Sequence, residues 1–210
     1  MSDVSVESSA GVWERRKREA MSRIQAVALD LFEEYGYRAV TVERIASAAG
    51  VSASSVYRYF GVKEMLVLYD EHDLRILEAI RDSGGGEPMP PADLIAAARL
   101  LAPMLIESML TRETELRLRR RMRYVTTIPE IADAQNRQMR DLESRIVALF
   151  AERTGGDPND LRLRVAAATG VWGIIAALNH WTTADFVRPL REVYTDAVDA
   201  VLSAIERILL

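Results

Sequence analysis

The sequence predicts an all-α fold, and three features of the chain support that prediction. Apolar residues recur every three or four positions along nearly all of its 210 residues, which is the period of one helix face. No segment sustains the apolar–polar alternation of a half-buried strand. Four prolines lie near the starts of later helical segments, where a missing amide costs nothing: Pro91, Pro129, Pro158 and Pro189.

The first predicted helix ends at Gly36, which supplies the left-handed residue of a helix terminus. Its apolar face follows the i, i+3, i+4, i+7 pattern through Ile24, Val27, Ala28, Leu31, Phe32 and Tyr35. Upstream, Arg15, Arg16, Lys17 and Arg18 are consecutive. This cluster is compatible with a basic arm or first helical turn that meets a polyanion, and also with an ordinary solvated helix face. We predict a disordered tail over residues 1–12.

Two short helices are predicted next, joined by a tight turn over residues 49–52. Thr41 can cap the second helix, whose inward positions are Val42, Ile45, Ala46 and Ala49, and Gly50 ends it. Ser52 can cap a third helix that runs to about Phe60. This spacing is that of a helix-turn-helix, which we place within a domain covering residues 13–63.

A long amphipathic fourth helix is predicted over residues 63–81, followed by the helix-breaking stretch "DSGGGEPMPP". Its glycine triplet lacks the preceding strand and the lysine of a phosphate-binding loop, so we interpret it as a linker. Residues 64–83 are therefore predicted to connect the first domain to a second one covering residues 84–210. The helices of the second domain are predicted at about 92–110, 112–126, 129–154, 159–182 and 188–209.

Composition limits the classes of function. The chain is 49% apolar and 28% charged, as expected for a soluble globular protein, and it contains no cysteine. Disulfides and thiolate chemistry are therefore excluded. Neither a secretory signal nor 18 uninterrupted apolar residues is found, so we expect a cytoplasmic protein with no membrane contact.

The net charge of −4 conceals an asymmetry between the two predicted domains. Residues 1–63 carry nine basic and eight acidic side chains, which leaves 18 basic and 23 acidic side chains for the remainder of the 27 and 31. The first segment is therefore net positive by one charge and the rest net negative by five. Only the N-terminal segment is suited to face phosphate.

The outward side of the third helix carries hydrogen-bonding groups. With Val56 facing inward and about 100° per residue, Ser54 and Arg58 point away from the core and Ser55 and Tyr57 flank them. Serine and arginine can bond base edges, whereas tyrosine suits phosphate oxygens and thymine methyl groups. An ordinary exposed helix is the alternative interpretation.

The stretch "IQAVALDLFEEYGYRAVTVERIASAAGVSASSVYRYFGVKEMLVL", residues 24–68, resembles the DNA-binding domain of the TetR family of transcriptional regulators. The resemblance lies in Gly36-Tyr37, in Thr41-Val42, in the Ala49–Ser52 turn, in Val56–Phe60 and in Lys63-Glu64. It covers about the first third of the chain. It implies a dimeric repressor that binds double-stranded operator DNA through its third helix. The C-terminal helices would then form an effector pocket and a dimer interface.

The resemblance also implies roles for individual residues. The residues expected to contact phosphates are Thr41, Tyr57, Tyr59 and Lys63, and those expected to contact bases are Ser54, Ser55 and Arg58. Ser52 would cap the third helix and contact the DNA backbone. Many relatives have a larger or basic side chain near residues 53 and 54, where this chain has Ala and Ser. Base recognition would therefore rest on Arg58 and on Arg15, Arg16 and Arg18.

The predicted second domain contains candidate residues for an effector site. The predicted helix 92–110 is apolar on nearly every side and contains Pro103, so we expect it to be kinked and centrally buried. The candidate effector-binding residues are Met104, Met109, Arg121, Tyr124, Trp172 and Asn179. The methionines could equally be core filler, and most arginines of residues 117–123 could be solvated or ion-paired.

The predicted effector is a small apolar molecule, or an acyl-CoA-like one if an arginine faces the pocket. The run Arg119–Arg121, the motif "IPEIADAQ" and the tryptophans of the eighth helix are similar to those of regulators that respond to acyl-CoA thioesters.

The last two helices are predicted to form a homodimer interface. Small residues in the eighth helix allow another helix to approach closely, and the last helix has an apolar face. The residues concerned are Ala167, Gly170, Gly173, Ala176 and Ala177, and then Leu190, Val193, Tyr194, Ala197, Val201, Ala204 and Ile205.

Other classes of protein are disfavoured. His180 could be joined only by His72, so no metal site is predicted, and no catalytic arrangement or cofactor motif is found. An adaptor that keeps the fold without binding DNA is the main alternative, and Arg58 with its neighbouring tyrosines disfavours it. An enzyme is a more distant alternative.

Overall fold

The computed structural model of the chain describes residues 9–70, 77–78, 81–82 and 87–210. Helices and no strand occur in this described part, in agreement with the predicted all-α class. The chain divides into two units, Met1–Glu71 and His72–Leu210. The boundary between them falls inside the segment predicted to connect the two domains.

The first unit contains helices α1 (Ser9–Tyr35), α2 (Val42–Ala48), α3 (Ala53–Phe60) and the short α4 (Met65–Leu68). Helix α2 packs against α3, and α1 packs against α2 and α4. Their common core includes Ile24, Phe32, Ile45 and Leu66, which are almost completely buried. The predicted helix-turn-helix is therefore confirmed.

Local hydrogen bonds explain why α2 and α3 begin where they do. The Thr41 hydroxyl accepts the amide of Arg44 at 3.2 Å, and the Ser52 hydroxyl accepts the amide of Ser55 at 3.1 Å. Both residues were predicted as N-caps, and both satisfy an amide that the helix leaves unpaired. Gly50 has a φ of 68°, a conformation in which a side chain would be strained, so it allows the tight turn between the helices.

Two boundaries differ from the predictions. Helix α1 begins at Ser9, so residues 9–12 are helical and not part of a tail, while residues 1–8 lie outside the described residues. The predicted fourth helix is interrupted after Leu68, because Tyr69 has a ψ of 125°. The buried amide of Gln25 donates to the Tyr69 carbonyl at 2.9 Å and to the Val67 carbonyl at 3.4 Å, which holds this end of α4 on α1.

The rest of the predicted connecting segment is described only in part. Residues 77–78 and 81–82 are helical. The stretches 71–76, 79–80 and 83–86, which include the glycine triplet, lie outside the described residues.

The second unit contains α5 (Pro91–Met109), α6 (Arg112–Thr127), α7 (Pro129–Thr154), α8 (Leu161–Thr183) and α9 (Leu190–Leu209). These helices match the predicted segments to within a few residues. Helix α9 packs against α8 and α5, and α8 also packs against α7 and α6. A core of Ile95, Ala166 and Ile205 joins α5, α8 and α9.

The small residues of α8 serve packing within the chain. A Cβ atom at Gly173 would lie 2.5 Å from Cγ2 of Val201, and one at Gly170 would lie 3.8 Å from Cδ1 of Ile205. Glycine at position 173 therefore permits the close approach of α8 and α9 of the same chain. Within the predicted dimer face, Leu190, Val193 and Ile205 are also buried inside the single chain.

Helix α5 is not centrally buried, contrary to the prediction. Leu100 is 75% exposed and Met104 is 65% exposed, whereas Leu94, Ile95 and Met109 are buried. The reason is that α5 packs mainly on α9, with fewer contacts to α7, so only one of its apolar sides is covered in the described chain. Two ion pairs tie it to α9: Arg99 with Glu206 at 2.9 Å, and Glu107 with Arg191.

Helix α8 is long and apolar enough to cross a membrane by length and composition alone, and the pair α5–α6, bent by 85°, passes the same test as one broken span. Core helices of soluble proteins also have these properties. Here α8 is covered in part by α7 and α9 of its own unit.

Candidate nucleic-acid interface and effector region

Helix α3 has the inward and outward sides that the sequence predicts. Val56 and Phe60 are buried, whereas Ser54, Tyr57 and Arg58 are exposed. Ser55 and Tyr59 are half-buried between these two sides. One side of the helix is therefore apolar and packs against the rest of the unit, and the other side is polar and exposed.

The three serines at the start of α3 form one hydrogen-bonded group. The Ser52 hydroxyl lies 2.8 Å from that of Ser54 and 2.9 Å from that of Ser55. Arg58 donates to the Ser55 hydroxyl at 3.4 Å, and its guanidinium lies 5.1 Å from the centre of the Tyr59 ring. Contacts within one short helix thus orient the exposed arginine.

Thr41 is exposed at the start of α2, and its hydroxyl oxygen is used as an acceptor by the Arg44 amide. A hydroxyl both accepts and donates, so its hydrogen is still available for a phosphate oxygen. The predicted role of Thr41 is compatible with its capping role.

Lys63 is half-buried after α3 and is held from inside the unit. Its Nζ donates to the Tyr37 carbonyl at 2.5 Å and lies 4.2 Å from the centre of the Tyr37 ring. Burial lowers the pKa of Lys63 from its ordinary value of 10.5. An ammonium has three donors, so a phosphate contact would have to share Nζ with the Tyr37 carbonyl.

The basic cluster at residues 15–18 lies on α1 and is not a separate arm. Arg15, Arg16 and Arg18 are exposed, and Met21, further along the helix, is buried. Lys17 lies 5.2 Å from the centre of the Trp13 ring, which is 58% exposed. These exposed basic and aromatic side chains therefore lie on α1, N-terminal to Met21.

One arginine of this unit was not singled out by sequence reasoning. The guanidinium carbon of Arg44 lies 3.7 Å from the centre of the Tyr35 ring, so the two groups stack. The only sequence signal was a basic residue in the first turn of the second helix, since nothing in the pattern paired it with a tyrosine nine positions earlier.

The six candidate effector-binding residues are spread over α5, α6 and α8 and differ in burial. Met109 is buried, and Arg121, Tyr124 and Trp172 are half-buried. The Trp172 indole donates to Glu143 of α7 at 2.8 Å. Met104 and Asn179 are exposed, so these two are not enclosed by the chain that carries them.

Arg117 and Arg119, in the run 117–123, form ion pairs within α6. Arg117 pairs with Glu113 at 2.9 Å, and Arg119 pairs with Glu115 at 2.6 Å. Arg119 also donates to the Phe186 carbonyl at 3.2 Å and lies 5.3 Å from the centre of the Trp181 ring. It therefore fastens α6 to the connection between α8 and α9.

Among the described residues, no group of three or more histidine, aspartate or glutamate side chains is placed to hold a metal ion. His72, one of the two histidines considered for such a site, lies outside the described residues.

Family models account for most of the chain. Residues 24–69 match the model of the bacterial regulatory proteins of the TetR family, and residues 95–206 match that of the MftR C-terminal domain. The chain belongs to the TetR family. It is a transcriptional regulator with a helix-turn-helix DNA-binding unit and a helical C-terminal unit of the kind that binds ligands in this family.

Relatives agree with this membership. A putative mycofactocin biosynthesis transcriptional regulator, MftR of Mycobacterium tuberculosis, is 28% identical over 195 residues, which are 92% of this chain and 95% of the relative. Among solved structures, the SmeT–triclosan complex has a TM-score of 0.54 at 20% identity and covers 89% of this chain and 91% of its own.

A second solved structure is that of the transcriptional regulator FadR from Bacillus subtilis in complex with stearoyl-CoA. It has a TM-score of 0.50 at 18% identity and covers 87% of this chain and 97% of its own. At such identities both structural likenesses establish a shared fold.

Proposed function

We propose that this TetR-family regulator is a cytoplasmic homodimeric repressor that binds a palindromic operator through α3 and is released by a small apolar or acyl-CoA-like effector. The observation that supports operator binding most directly is the exposed side of α3, where Ser54, Tyr57 and Arg58 surround the buried seam of Val56 and Phe60. Side chains of these types bond base edges and phosphates in the major groove.

Base recognition is assigned chiefly to Arg58, and phosphate binding to Thr41, Tyr57, Tyr59 and Lys63. Ser54 and Ser55 serve as smaller base contacts, and Ser52 contacts the DNA backbone in addition to capping α3. The exposed Arg15, Arg16 and Arg18 contribute to base recognition together with Arg58. Because arginine bonds guanine through two donors at once, its loss costs discrimination as well as affinity.

The test uses an operator selected by the wild-type protein from random duplexes, with binding measured by anisotropy at several salt concentrations. We expect Arg58→Ala to weaken operator binding by about 1–3 kcal/mol while leaving binding to a mixed-sequence duplex much less affected. Lys63→Ala should weaken binding to both duplexes. Arg137→Ala, an exposed arginine of α7, is the control for lost charge. Unchanged discrimination in Arg58→Ala would refute the base-contact assignment.

Dimerisation is proposed through exposed apolar residues of the C-terminal unit, since much of the apolar face of α9 is buried inside one chain. On α8, Leu161 and Val165 are exposed and lie four residues apart on one side of the helix. Two α3 helices spaced one DNA turn apart, about 34–36 Å, would match a palindromic site. Light scattering should give a dimer that Val165→Arg weakens, with Arg162→Ala as a control on the same helix. A monomer in the wild type contradicts the proposal.

Effector binding is proposed for the C-terminal unit, with Met104, Met109, Arg121, Tyr124, Trp172 and Asn179 as the candidate contacts. The ligands named with SmeT and FadR, triclosan and stearoyl-CoA, represent the two chemical classes. Since Met104 and Asn179 are exposed in one chain, a bound ligand would have to cover them.

Calorimetry with both ligands, with and without operator, tests this scheme. A hundredfold loss of operator affinity requires about 2.7 kcal/mol of coupling between the two sites, and the ligand must lose the same factor on DNA. Arg121→Ala should weaken stearoyl-CoA binding and spare triclosan binding, with Arg137→Ala as the charge control. Equal ligand affinity for free and DNA-bound protein would contradict the release mechanism.

A further inference from the structure

The turn between α1 and α2 has a tyrosine on each side of Gly36, and each tyrosine lies beside a cation. Arg44, from the first turn of α2, lies 3.7 Å from the centre of the Tyr35 ring. Lys63, which follows α3, lies 4.2 Å from the centre of the Tyr37 ring and donates to the Tyr37 carbonyl. Two cations from separate parts of the helix-turn-helix therefore flank one short turn.

The position of Arg44 on α2 directs its side chain outward. The buried residues of α2 are Val42, Ile45 and Ala46, so at about 100° per residue Arg44 falls on nearly the opposite side. Its own amide bonds the Thr41 hydroxyl at 3.2 Å. Arg44 thus lies in the first helical turn of α2, next to Thr41. Its guanidinium and the Lys63 side chain both contact tyrosines at the connection between α1 and α2.

Stacking leaves the hydrogen-bonding edge of the arginine usable. A guanidinium is planar and has five N–H donors in its plane; the hydrogen bond between Arg44 and the Tyr35 hydroxyl uses one of them, and the stacked ring face uses none. These donors match two phosphate oxygens at once. A side chain already held by a stack also loses less conformational freedom when it binds.

The acidic side chains near the Tyr35–Arg44 stack do not occupy the position in which a phosphate could meet Arg44. The Glu34 side chain is hydrogen-bonded to the Tyr35 hydroxyl and, by that bond first and its charge second, raises the pKa of Tyr35. The ring beneath Arg44 therefore stays a neutral phenol at physiological pH. Glu43 is exposed in the same turn of α2, but it lies on another side of the helix.

We infer that Arg44, held by Tyr35, binds a backbone phosphate of the operator and strengthens DNA binding without selecting the sequence. This inference rests on the proposed DNA binding by α3, because the first helix of a helix-turn-helix crosses the DNA backbone when the second lies in the major groove. It adds to the candidate interface a residue that the family resemblance did not indicate.

The experiment measures the salt dependence of full-length protein binding to the selected operator and to a mixed-sequence duplex. Each neutralised phosphate contributes about 0.9 to the slope of log K against log salt, so Arg44→Ala and Arg44→Gln should each lower the slope by about that amount and weaken binding roughly three- to tenfold on both duplexes. Arg44→Lys should keep the slope, since its charge remains. Tyr35→Leu should keep the slope and weaken binding less than Arg44→Ala does.

Controls separate this inference from the proposed function. Arg137→Ala removes one charge from the other unit and should change neither the slope nor the affinity, and circular dichroism should show that every variant is folded. Weaker binding with a wild-type slope in both neutral variants would identify a structural role for Arg44 and overturn the inference. Lost sequence discrimination in these variants would also overturn it. If the wild type binds neither duplex at low salt, the proposed function fails together with it.

Discussion

The two units differ in how directly their side chains follow from local sequence. In the first unit, Thr41 and Ser52 cap the helices that they were predicted to cap, and Val56 faces inward as predicted. In the second unit, Met104 was predicted to face an interior pocket and is exposed, whereas Leu190, predicted to meet a partner chain, is buried in its own chain.

This difference separates two kinds of signal. A cap or a turn glycine involves residues three or four positions apart, so the pattern itself contains both partners. The role of an apolar helix face depends on which helix covers it, and that helix is distant in sequence. The four predictions below, in order of decreasing effect, test whether the units differ in this way.

The largest effect is expected at Trp181, which closes the connection between α8 and α9. Its ring is almost completely buried and lies 4.7 Å from that of Phe186, and its indole donates to the Arg188 carbonyl at 2.8 Å. Trp181→Ala should destabilise the protein by about 3–5 kcal/mol, measured by thermal unfolding. Arg162→Ala, at an exposed position of the same helix, should change stability by less than about 0.5 kcal/mol. Similar melting of both variants would contradict the burial of Trp181.

A smaller loss of stability is expected at Gln25, which makes polar contacts within the first unit that no local pattern predicts. Gln25→Leu keeps the size of the side chain but leaves the Tyr69 and Val67 carbonyls without this donor. We expect a loss of about 1–3 kcal/mol in the free energy of unfolding, measured with urea. Arg23→Leu places the same residue at an exposed position of α1 and is the control. Wild-type stability in Gln25→Leu would mean that the two bonds do not hold α4.

Alanine substitutions at the two glycines of α8 are expected to change the stability of the protein in opposite directions. Alanine favours a helix interior by about 1 kcal/mol over glycine, and Gly170→Ala, with Ile205 at 3.8 Å, should gain up to that amount. Gly173→Ala brings a methyl group to 2.5 Å from Val201, and overpacking of about 1–3 kcal/mol should outweigh the same gain. Differential scanning calorimetry measures both. If both substitutions stabilise the protein, α8 and α9 do not pack tightly against each other at Gly173.

The smallest effect concerns the pH dependence of the first unit. Burial lowers the pKa of Lys63 in the folded state below the 10.5 of the unfolded chain. Between those two values the unfolded state binds more protons, so this residue makes stability rise as pH increases. The urea midpoint of the wild type minus that of Lys63→Met should therefore increase from neutral pH towards 10.5. A decrease over that interval would show that the fold favours the charged amine.

Much of the DNA-binding unit was predictable from the sequence because its signals are local. The caps, the turn at Gly50 and the inward Val56 all depend on residues within a few positions of one another. The Tyr35–Arg44 stack was not predictable, since the intervening turn decides whether residues nine positions apart meet. The Gln25–Tyr69 hydrogen bond joins residues 44 positions apart. It lies where α4 ends, although the apolar periodicity of the sequence continues beyond that point.

The all-α class, the positions of most helices and the helix-turn-helix follow from the sequence alone, because periodicity, prolines and caps act within single segments. Packing between distant segments sets the contact of Gly173 with Val201 of the same chain, the exposure of Leu100 and Met104, and the hydrogen bond from Arg119 to the Phe186 carbonyl. A helical pattern shows which side of a helix is apolar, whereas the neighbour that covers that side is set by the packing of all the helices together.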